Sequence, residues 1–452
     1  MISHTSQLTR GLYFTSLFAL LPLWNIPHTI AARYFFAILL LVVVAFSNPG
    51  WKAFFRHNKI LLVFFAYLFV HLIFFSIDFE SALENFTAEW MKLILFSVLG
   101  AGAGLTVARY RPGKLMFLLG LAFCIPLLIH LGVSFYEGLQ RRAIPWGYWG
   151  INEIHGDLGY TAIHATIFLS VYFLYQARRS HEKALSLCLL SACIASPLLA
   201  SSRGGTAFVL IALVFVSLAA LAARFKDRLT LKRQLAGVIA VLLIVLTVLE
   251  IGSLVDPGRW NGVMARMGMG LKGDPIRVTC DGIGVLQKQL ESEGQVITPE
   301  ISSVLRSISG GDGARTMTAR AALILAADNP MGIDQSKKAY QIAISRDCDP
   351  AIFMAHAHNG WLDTALAIGI PGAVLYLLVL LNFANLGLKS LKQNDVVRPY
   401  AIALLVMSTI WIVRALLDST QRDQMLEMQV FTICFLYGVL VNHKNSDAVV
   451  VK

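Results

Sequence analysis

Apolar runs long enough to cross a lipid bilayer follow one another along most of this chain. About twelve can be counted, at residues 11–26, 29–48, 59–77, 91–108, 115–135, 159–176, 184–200, 205–223, 234–255, 360–388, 399–417 and 425–442. A bilayer core requires about 20 apolar residues in a helix, and most of the runs meet that length. The pattern predicts an all-α polytopic membrane protein with about twelve transmembrane helices.

The composition agrees with a membrane protein and disfavours a soluble one. Hydrophobic residues make up 56% of the 452-residue chain and charged residues only 14%. That much charge is too little to cover the surface of a soluble protein of this length. The net charge of +11 comes largely from short loops between apolar runs, so we interpret it as a topology signal and not as a nucleic-acid site.

The orientation follows from the loops in which lysine and arginine concentrate, because such loops stay in the cytoplasm. Alternate loops are basic and contain, among others, Lys52, Arg109, Arg178, Arg224 and Lys389. Both termini fall on that side, which predicts cytoplasmic termini. The opposite side then receives residues 256–357, which we call the polar segment.

The polar segment divides the chain into three regions. Residues 1–255 carry nine predicted transmembrane helices, and residues 358–452 carry three more. Within the polar segment, helices are predicted near 282–293, 299–309, 314–328 and 335–346, with Thr298-Pro299 at one helix start and Asn329-Pro330 at one helix end.

Two of the six cysteines, Cys280 and Cys348, lie in the polar segment. In an oxidising compartment a disulfide between them is expected, with a pair of unbonded thiols as the alternative. In the chain-entropy model, closing a loop of this length stabilises the fold by roughly 4 kcal/mol.

Titratable residues are concentrated where the polar segment meets the next apolar run, in the sequence His356-Ala-His358-Asn359-Gly360-Trp361. Polar groups at a membrane boundary serve either binding or chemistry. The His-x-His pair supplies only two metal ligands, and no cysteine or carboxylate follows at a useful spacing. The residues alone therefore favour a general base working without a metal or other cofactor.

Arginines on the same side complete the candidate site. Arg203 stands between two closely spaced helices with no carboxylate nearby in sequence, which favours an anionic ligand. Arg414, by contrast, is expected to pair with Asp418 four residues later. The arginines that we consider as anion ligands are Arg203, Arg315 and Arg320, followed by Arg142 and Arg266.

The spacing of His358-Asn359, nine residues, Gly369, two residues and Gly372 resembles the signature of bacterial lipopolysaccharide O-antigen ligases. The family pattern continues with Gly, Thr or Tyr, where this chain has Ala373. Two other stretches are similar to the wider ligase/polymerase superfamily. They are Ser202-Arg203-Gly204 and the run from Gly313-Ala-Arg315 to Asn329-Pro330-Met-Gly332.

The resemblance implies a multi-pass glycosyltransferase of the bacterial inner membrane, with the polar segment in the periplasm. Its donor would be O-antigen polysaccharide on undecaprenyl diphosphate, and its acceptor a sugar hydroxyl of the lipid A–core. Besides these substrates and the membrane lipid, no nucleic-acid partner, metal or cofactor is implied.

The same resemblance suggests roles for the candidate residues. His358, with His356 as second choice, would act as general base, and the arginines would hold the diphosphate. A single displacement without a carboxylate nucleophile predicts inversion at the anomeric carbon. Three alternatives stay open: an O-antigen polymerase, a protein O-oligosaccharyltransferase and, from a different class, a transporter of lipid-linked sugar.

Overall fold

The computed structural model describes residues 2–47, 50–110, 114–144, 146–147, 150, 157–223, 228–309, 311–348, 356–421 and 423–450. Over these residues every regular element is a helix. The region before the polar segment contains α1 (Ile2–Leu23), α2 (Ile30–Ser47), α3 (Trp51–His57), α4 (Lys59–Phe74), α5 (Phe79–Asn85), α6 (Met91–Tyr110), α7 (Leu115–Arg141), α8 (Asp157–Tyr175), α9 (Ser180–Leu199), α10 (Arg203–Ala223) and α11 (Arg228–Val255).

Shorter helices build the polar segment, and three long ones follow it. The segment contains α12 (Pro257–Trp260), α13 (Val263–Gly270), α14 (Pro275–Asp281), α15 (Ile283–Ser292), α16 (Pro299–Arg306), α17 (Asp312–Asp328) and α18 (Ala339–Ile344). The last region contains α19 (Gly360–Ser390), α20 (Arg398–Arg414) and α21 (Asp423–Val450). The predicted all-α, polytopic membrane architecture is confirmed.

Each of the predicted apolar runs contains a long helix, but not every one has the length and hydropathy of a membrane span. Among the described residues, nine helical stretches are long and apolar enough to cross a membrane. The other three helices are α1, whose first turns are polar, and α4 and α20, which have 16 and 17 residues. The structure therefore supports nine spans of the twelve expected.

Helix α21 is the most deeply buried of the nine stretches that could span a membrane, since 94% of an 18-residue apolar window within Asp423–His443 is buried. It packs against a face of α6 where Gly100 and Gly104 have no side chains, so the backbones of the two helices approach closely. A Cβ on either glycine would overlap the backbone of Phe431 or Phe435. The pairing brings together the ends of both helices that face the polar segment.

The polar segment combines a small core of its own with a large contact on the bundle. Helices α13 to α17 enclose apolar side chains that include Leu286, Leu290 and Met317. The C-terminal half of α17, with Ala321 and Leu325, packs in the main core of the bundle. All four predicted helices are present in part or in full, whereas α12, α13 and α14 were not predicted.

A disulfide between Cys280 and Cys348 links the end of α14 to the chain beyond α18. The Cα atoms of the two residues are 5.0 Å apart, and 68 positions separate them in sequence. The bond therefore encloses α15 to α18, the part of the polar segment that lies directly before the histidines.

Candidate active site

His356 and His358 lie together in the loop that precedes α19. Their ring centroids are 4.5 Å apart, and His358 has a left-handed backbone with φ of +54°. A non-glycine residue in that region is uncommon and is often found at functional sites. Asn359 caps α19 by accepting a hydrogen bond from the Leu362 N–H, while its amide donates to the Leu416 carbonyl at 3.0 Å.

The backbone of Ala357, between the two histidines, is held from both sides. Its N–H donates to the Asp363 carboxylate at 2.8 Å, and its carbonyl accepts from the Thr318 hydroxyl of α17 at 3.1 Å. The other oxygen of Asp363 accepts from the Ser419 hydroxyl at 2.5 Å. The histidine loop is thus fixed between α17, α19 and the loop that joins α20 to α21.

The loop between α20 and α21 packs directly on the start of α19. The Gly360 N–H donates to the carbonyls of Ala415, at 2.7 Å, and Asp418, at 3.0 Å. A Cβ on Gly360 would lie 3.2 Å from the Asp418 carbonyl oxygen. The glycine after Asn359 therefore permits the contact that brings Asp418 beside the histidines.

Asp418 forms a charged group with Arg414, which confirms the predicted pair. An Arg414 Nη2 lies 3.7 Å from an Asp418 carboxylate oxygen, and the Tyr160 hydroxyl donates to that carboxylate at 2.8 Å. The Arg414 guanidinium is buried 3.5 Å from the centroid of the Tyr160 ring, which is a cation–π contact.

The positive charge of Arg315 also acts on the Asp418 carboxylate. Burial would raise the pKa of the Asp418 carboxyl, but the charges of Arg414 and Arg315, with smaller effects from Tyr160 and His358, lower it. Arg315 is exposed on α17, one turn before Thr318, which contacts the histidine loop. No described side chain accepts a hydrogen bond from its guanidinium. Arg315 is therefore an exposed cation on the helix that contacts the histidine loop, and its charge acts on Asp418.

Arg203 and Arg266 meet at one carboxylate, Asp312, at the start of α17. Arg203 donates through both terminal nitrogens, at 3.0 and 2.7 Å, and the Arg266 Nε donates at 3.0 Å. Burial would raise the pKa of Asp312, but the two arginines lower it. No carboxylate lies near Arg203 in sequence, and its partner Asp312 comes from 109 residues further along the chain.

The remaining arginine candidates have different surroundings. Arg320 donates to three backbone carbonyls, those of Gly270 at 3.2 Å, Lys272 at 3.3 Å and Gly273 at 3.0 Å, and so holds the turn between α13 and α14. Arg142 is exposed at the end of α7, with a left-handed φ of +50°. Among the residues that the structure describes, neither Arg320 nor Arg142 has a hydrogen bond or ion pair with the histidine loop.

Gly369 and Gly372 allow α19 to break and to pack closely. At Ile368 and Gly369 the backbone leaves the helical region, and Gly369 has φ of +78°. The turn at Pro330–Ile333 fills the break, since the Ile333 N–H donates to Leu366 and the Ile370 N–H donates to Pro330, at 2.7 and 2.9 Å. A Cβ on Gly372 would lie 2.7 Å from the ring of Tyr67.

Sequence reasoning did not find Asp312 or Thr318 as part of this site. Both belong to α17 and act on residues of other elements, which no local spacing indicates. As for metals, no group of three or more His, Cys, Asp or Glu side chains that could hold an ion occurs within the described part of the chain.

The region that carries these features also carries a known family signature. A family model described as O-antigen ligase matches residues 184–377, which run from α9 through the polar segment and the histidine loop into α19. No curated protein sequence matches the chain at a significant level. The match supports membership of this multi-pass membrane protein in the O-antigen ligase/polymerase superfamily, through a domain that extends across the polar segment and the histidine loop.

Proposed function

We propose that the protein is an O-antigen ligase. It transfers O-antigen polysaccharide from undecaprenyl diphosphate to a sugar hydroxyl of the lipid A–core, at the periplasmic face of the bacterial inner membrane. The observation that carries this proposal is the position of the histidine loop on α17, one turn from the exposed Arg315, at the end of a membrane bundle. The Ala357 hydrogen bonds to Thr318 and Asp363 account for that position.

His358 acts as the general base, and His356 is the second choice. A sugar hydroxyl is a poor nucleophile, and a neutral imidazole in hydrogen-bond reach can take its proton as the oxygen attacks the anomeric carbon. The bond from that carbon to the diphosphate oxygen breaks in the same step. The sugar therefore changes its anomeric configuration, because no carboxylate intermediate intervenes.

The leaving diphosphate gains negative charge as the bond breaks, and arginines stabilise it without a metal ion. Arg315 is our first candidate, because it is exposed beside the histidine loop. Arg203 and Arg266 share the single charge of Asp312, so their group keeps an excess positive charge for a phosphate. Arg320 and Arg142 rank behind them.

The proposed topology puts both termini in the cytoplasm and the polar segment in the periplasm, where lipid A–core and lipid-linked polymer meet. This arrangement follows from the lysine and arginine bias of the short loops. The undecaprenyl chain would reach the site through the lipid, between helices, and the polar segment would cover the sugars.

The test is the lipopolysaccharide pattern of a deletion strain complemented with wild-type protein, His358→Ala, His356→Ala or Arg315→Ala, at matched protein levels. Arg277→Ala is the control, because Arg277 is an exposed arginine of the same segment. We expect His358→Ala and Arg315→Ala to leave bare lipid A–core while undecaprenyl-linked polymer accumulates, and Arg277→Ala to behave as wild type.

Other outcomes would point to the alternatives. Core that carries a single repeat in the deletion strain would indicate a polymerase. Unchanged lipopolysaccharide with loss of sugar from periplasmic proteins would indicate a protein O-oligosaccharyltransferase. Movement of lipid-linked sugar across vesicles by purified protein, without transfer to any acceptor, would indicate a transporter.

A further inference from the structure

A polar cavity borders the histidine loop at the base of the polar segment. This space, which we call the acidic cleft, has room inside for about one water-sized group and is partly open to solvent. Its polar lining includes Glu89, Gln335, Lys337, Asp363, Thr364 and Gln421. Asp363 belongs both to the cleft and to the hydrogen bonds that hold Ala357, so the cleft lies directly next to the histidines.

Two buried amide side chains in the lining have unused hydrogen-bonding atoms. Gln335 is 0% exposed and donates to the Leu68 carbonyl at 2.9 Å, while Gln421 is 8% exposed and accepts from the Thr364 hydroxyl. The Gln335 Oε1 and the Gln421 Nε2 have no hydrogen-bond partner within the described part of the chain. Because a buried polar atom without a partner is costly, an acceptor and a donor here indicate a polar ligand.

The charges of the cleft decide which kind of polar ligand fits. Lys337 pairs with Asp423 at 2.6 Å and with Glu89 at 3.4 Å. Burial would lower the pKa of the Lys337 ammonium, but these carboxylates raise it, so the side chain stays charged. The carboxyl groups of Asp363, Asp423 and Glu89 outnumber this one ammonium, so a negative charge remains even with Glu89 neutral and disfavours phosphate.

We propose that the acidic cleft binds an uncharged sugar of the acceptor at its open side, where one sugar hydroxyl enters, donates to the Gln335 Oε1 and accepts from the Gln421 Nε2. This inference rests on the proposed function and adds to it the binding site of the acceptor sugar. The site is thereby divided by charge across the histidine loop. The diphosphate of the donor lies on the side of Arg315, and the acceptor sugar lies on the side of Glu89 and Asp363. Between them, His358 reaches the attacking hydroxyl.

The experiment compares Gln421→Met with Gln429→Met in purified protein. Gln429 is a matched control, because it is a buried glutamine of α21 whose Oε1 accepts from a hydroxyl, that of Tyr376, at 3.1 Å, and it does not line the cleft. Gln421→Glu is a second variant that keeps the acceptor for Thr364 and removes the donor. Thermal unfolding of each variant checks that it is folded.

Two measurements are made. The first is binding of core oligosaccharide released from O-antigen-deficient lipopolysaccharide, with and without inorganic diphosphate. The second is the KM for lipid A–core at saturating donor. Loss of one hydrogen bond to a neutral group predicts about five- to tenfold weaker binding and a similar rise in acceptor KM for both Gln421 variants. Gln429→Met should match wild type, and diphosphate should not displace the oligosaccharide.

The outcomes separate this inference from the proposed function. If wild type transfers polymer to the core but the Gln421 variants keep the wild-type oligosaccharide affinity and acceptor KM, the cleft is not the acceptor site and the ligase assignment stands. Displacement of the oligosaccharide by diphosphate would also overturn the division by charge. If wild type neither binds the oligosaccharide nor transfers polymer to the core, the proposed function fails, and the cleft assignment fails with it.

Discussion

Gly332 and Gly369 lie against each other at the point where the polar segment enters the break in α19. Both have left-handed backbones, with φ of +85° and +78°. A Cβ on Gly332 would lie 2.7 Å from the Ala367 carbonyl oxygen, and a Cβ on Gly369 would lie 2.8 Å from the Met331 carbonyl carbon. Neither position has room for a side chain. The paired glycines therefore join the polar segment to the helix that carries the histidine loop.

Gly369→Ala should prevent this junction from forming. The φ and ψ of Gly369 lie in a region that is essentially restricted to glycine, and the added methyl group would overlap the Met331 backbone. We therefore expect the free energy of unfolding to fall by about 3 kcal/mol or more. The measurement is thermal unfolding in detergent, together with the yield of folded protein. Gly237→Ala is the control, since a Cβ there meets nothing within 4 Å and the residue is helical; equal stability of the two variants would contradict the prediction.

Asp363 is expected to be a positioning residue for the histidines. Asp363→Ala removes the acceptor of the Ala357 N–H, so we expect kcat for polymer transfer to fall about tenfold or more, as mispositioned catalytic groups cause. Asp363→Asn keeps an amide oxygen for the same bond and should recover most of the rate. Transfer kinetics with purified protein measure both. If Asp363→Asn and Asp363→Ala reduce kcat equally, loss of the hydrogen bond to the Ala357 N–H is not the cause of the lower rate.

Asp312→Asn should destabilise the polar segment, because it leaves Arg203 and Arg266 without their shared carboxylate. For a partly buried ion pair of this kind, we expect the free energy of unfolding to fall by about 1–3 kcal/mol. Asp395→Asn is the matched control, since the Asp395 side chain is 84% exposed in its pair with Arg398 and should cost less than about 1 kcal/mol. Thermal unfolding at pH 7 compares the two variants.

The stability difference between wild type and Asp312→Asn should depend on pH. The folded pKa of Asp312 lies below its ordinary value of 3.8. The contribution of the ionised carboxylate is therefore complete above the ordinary pKa and disappears as the pH falls through the lower, folded value. Unfolding measured from pH 7 down to about 3 should show the two proteins converging at the acidic end. A constant difference over that range would contradict the assignment.

Removal of the disulfide should loosen the part of the polar segment that it encloses. Cys280→Ser with Cys348→Ser releases a loop of 68 positions, for which the chain-entropy model predicts a loss of roughly 4 kcal/mol. Limited proteolysis should then cut within α15 to α18 faster than in wild type. Cys188→Ser, a change at an exposed cysteine of α9, should leave the cleavage rate as it is.

The helices and the histidine motif follow from local patterns. Runs of apolar residues predict long helices because a bilayer leaves few other structures possible, and Thr298-Pro299 marks the start of α16 because threonine caps a helix that proline begins. The number of membrane spans was predicted less well than the helices themselves, with twelve expected and nine supported among the described residues. The hydropathy of α4 and α20 marks them as apolar, but only the structure shows that they end at Phe74 and Arg414.

What the sequence determined by itself is the class of the protein: an all-helical membrane bundle with one long polar segment and a His-Asn-x9-Gly-x-x-Gly signature. Only the tertiary structure decided which charges meet. It paired Arg203 and Arg266 with Asp312, brought Asp418 into the range of the Arg315 charge and gathered Glu89, Lys337 and Gln421 around one cleft. Hydropathy and helix signals act over a few turns of chain. Ion pairs and clefts form between residues tens to hundreds of positions apart, so they depend on how the helices pack.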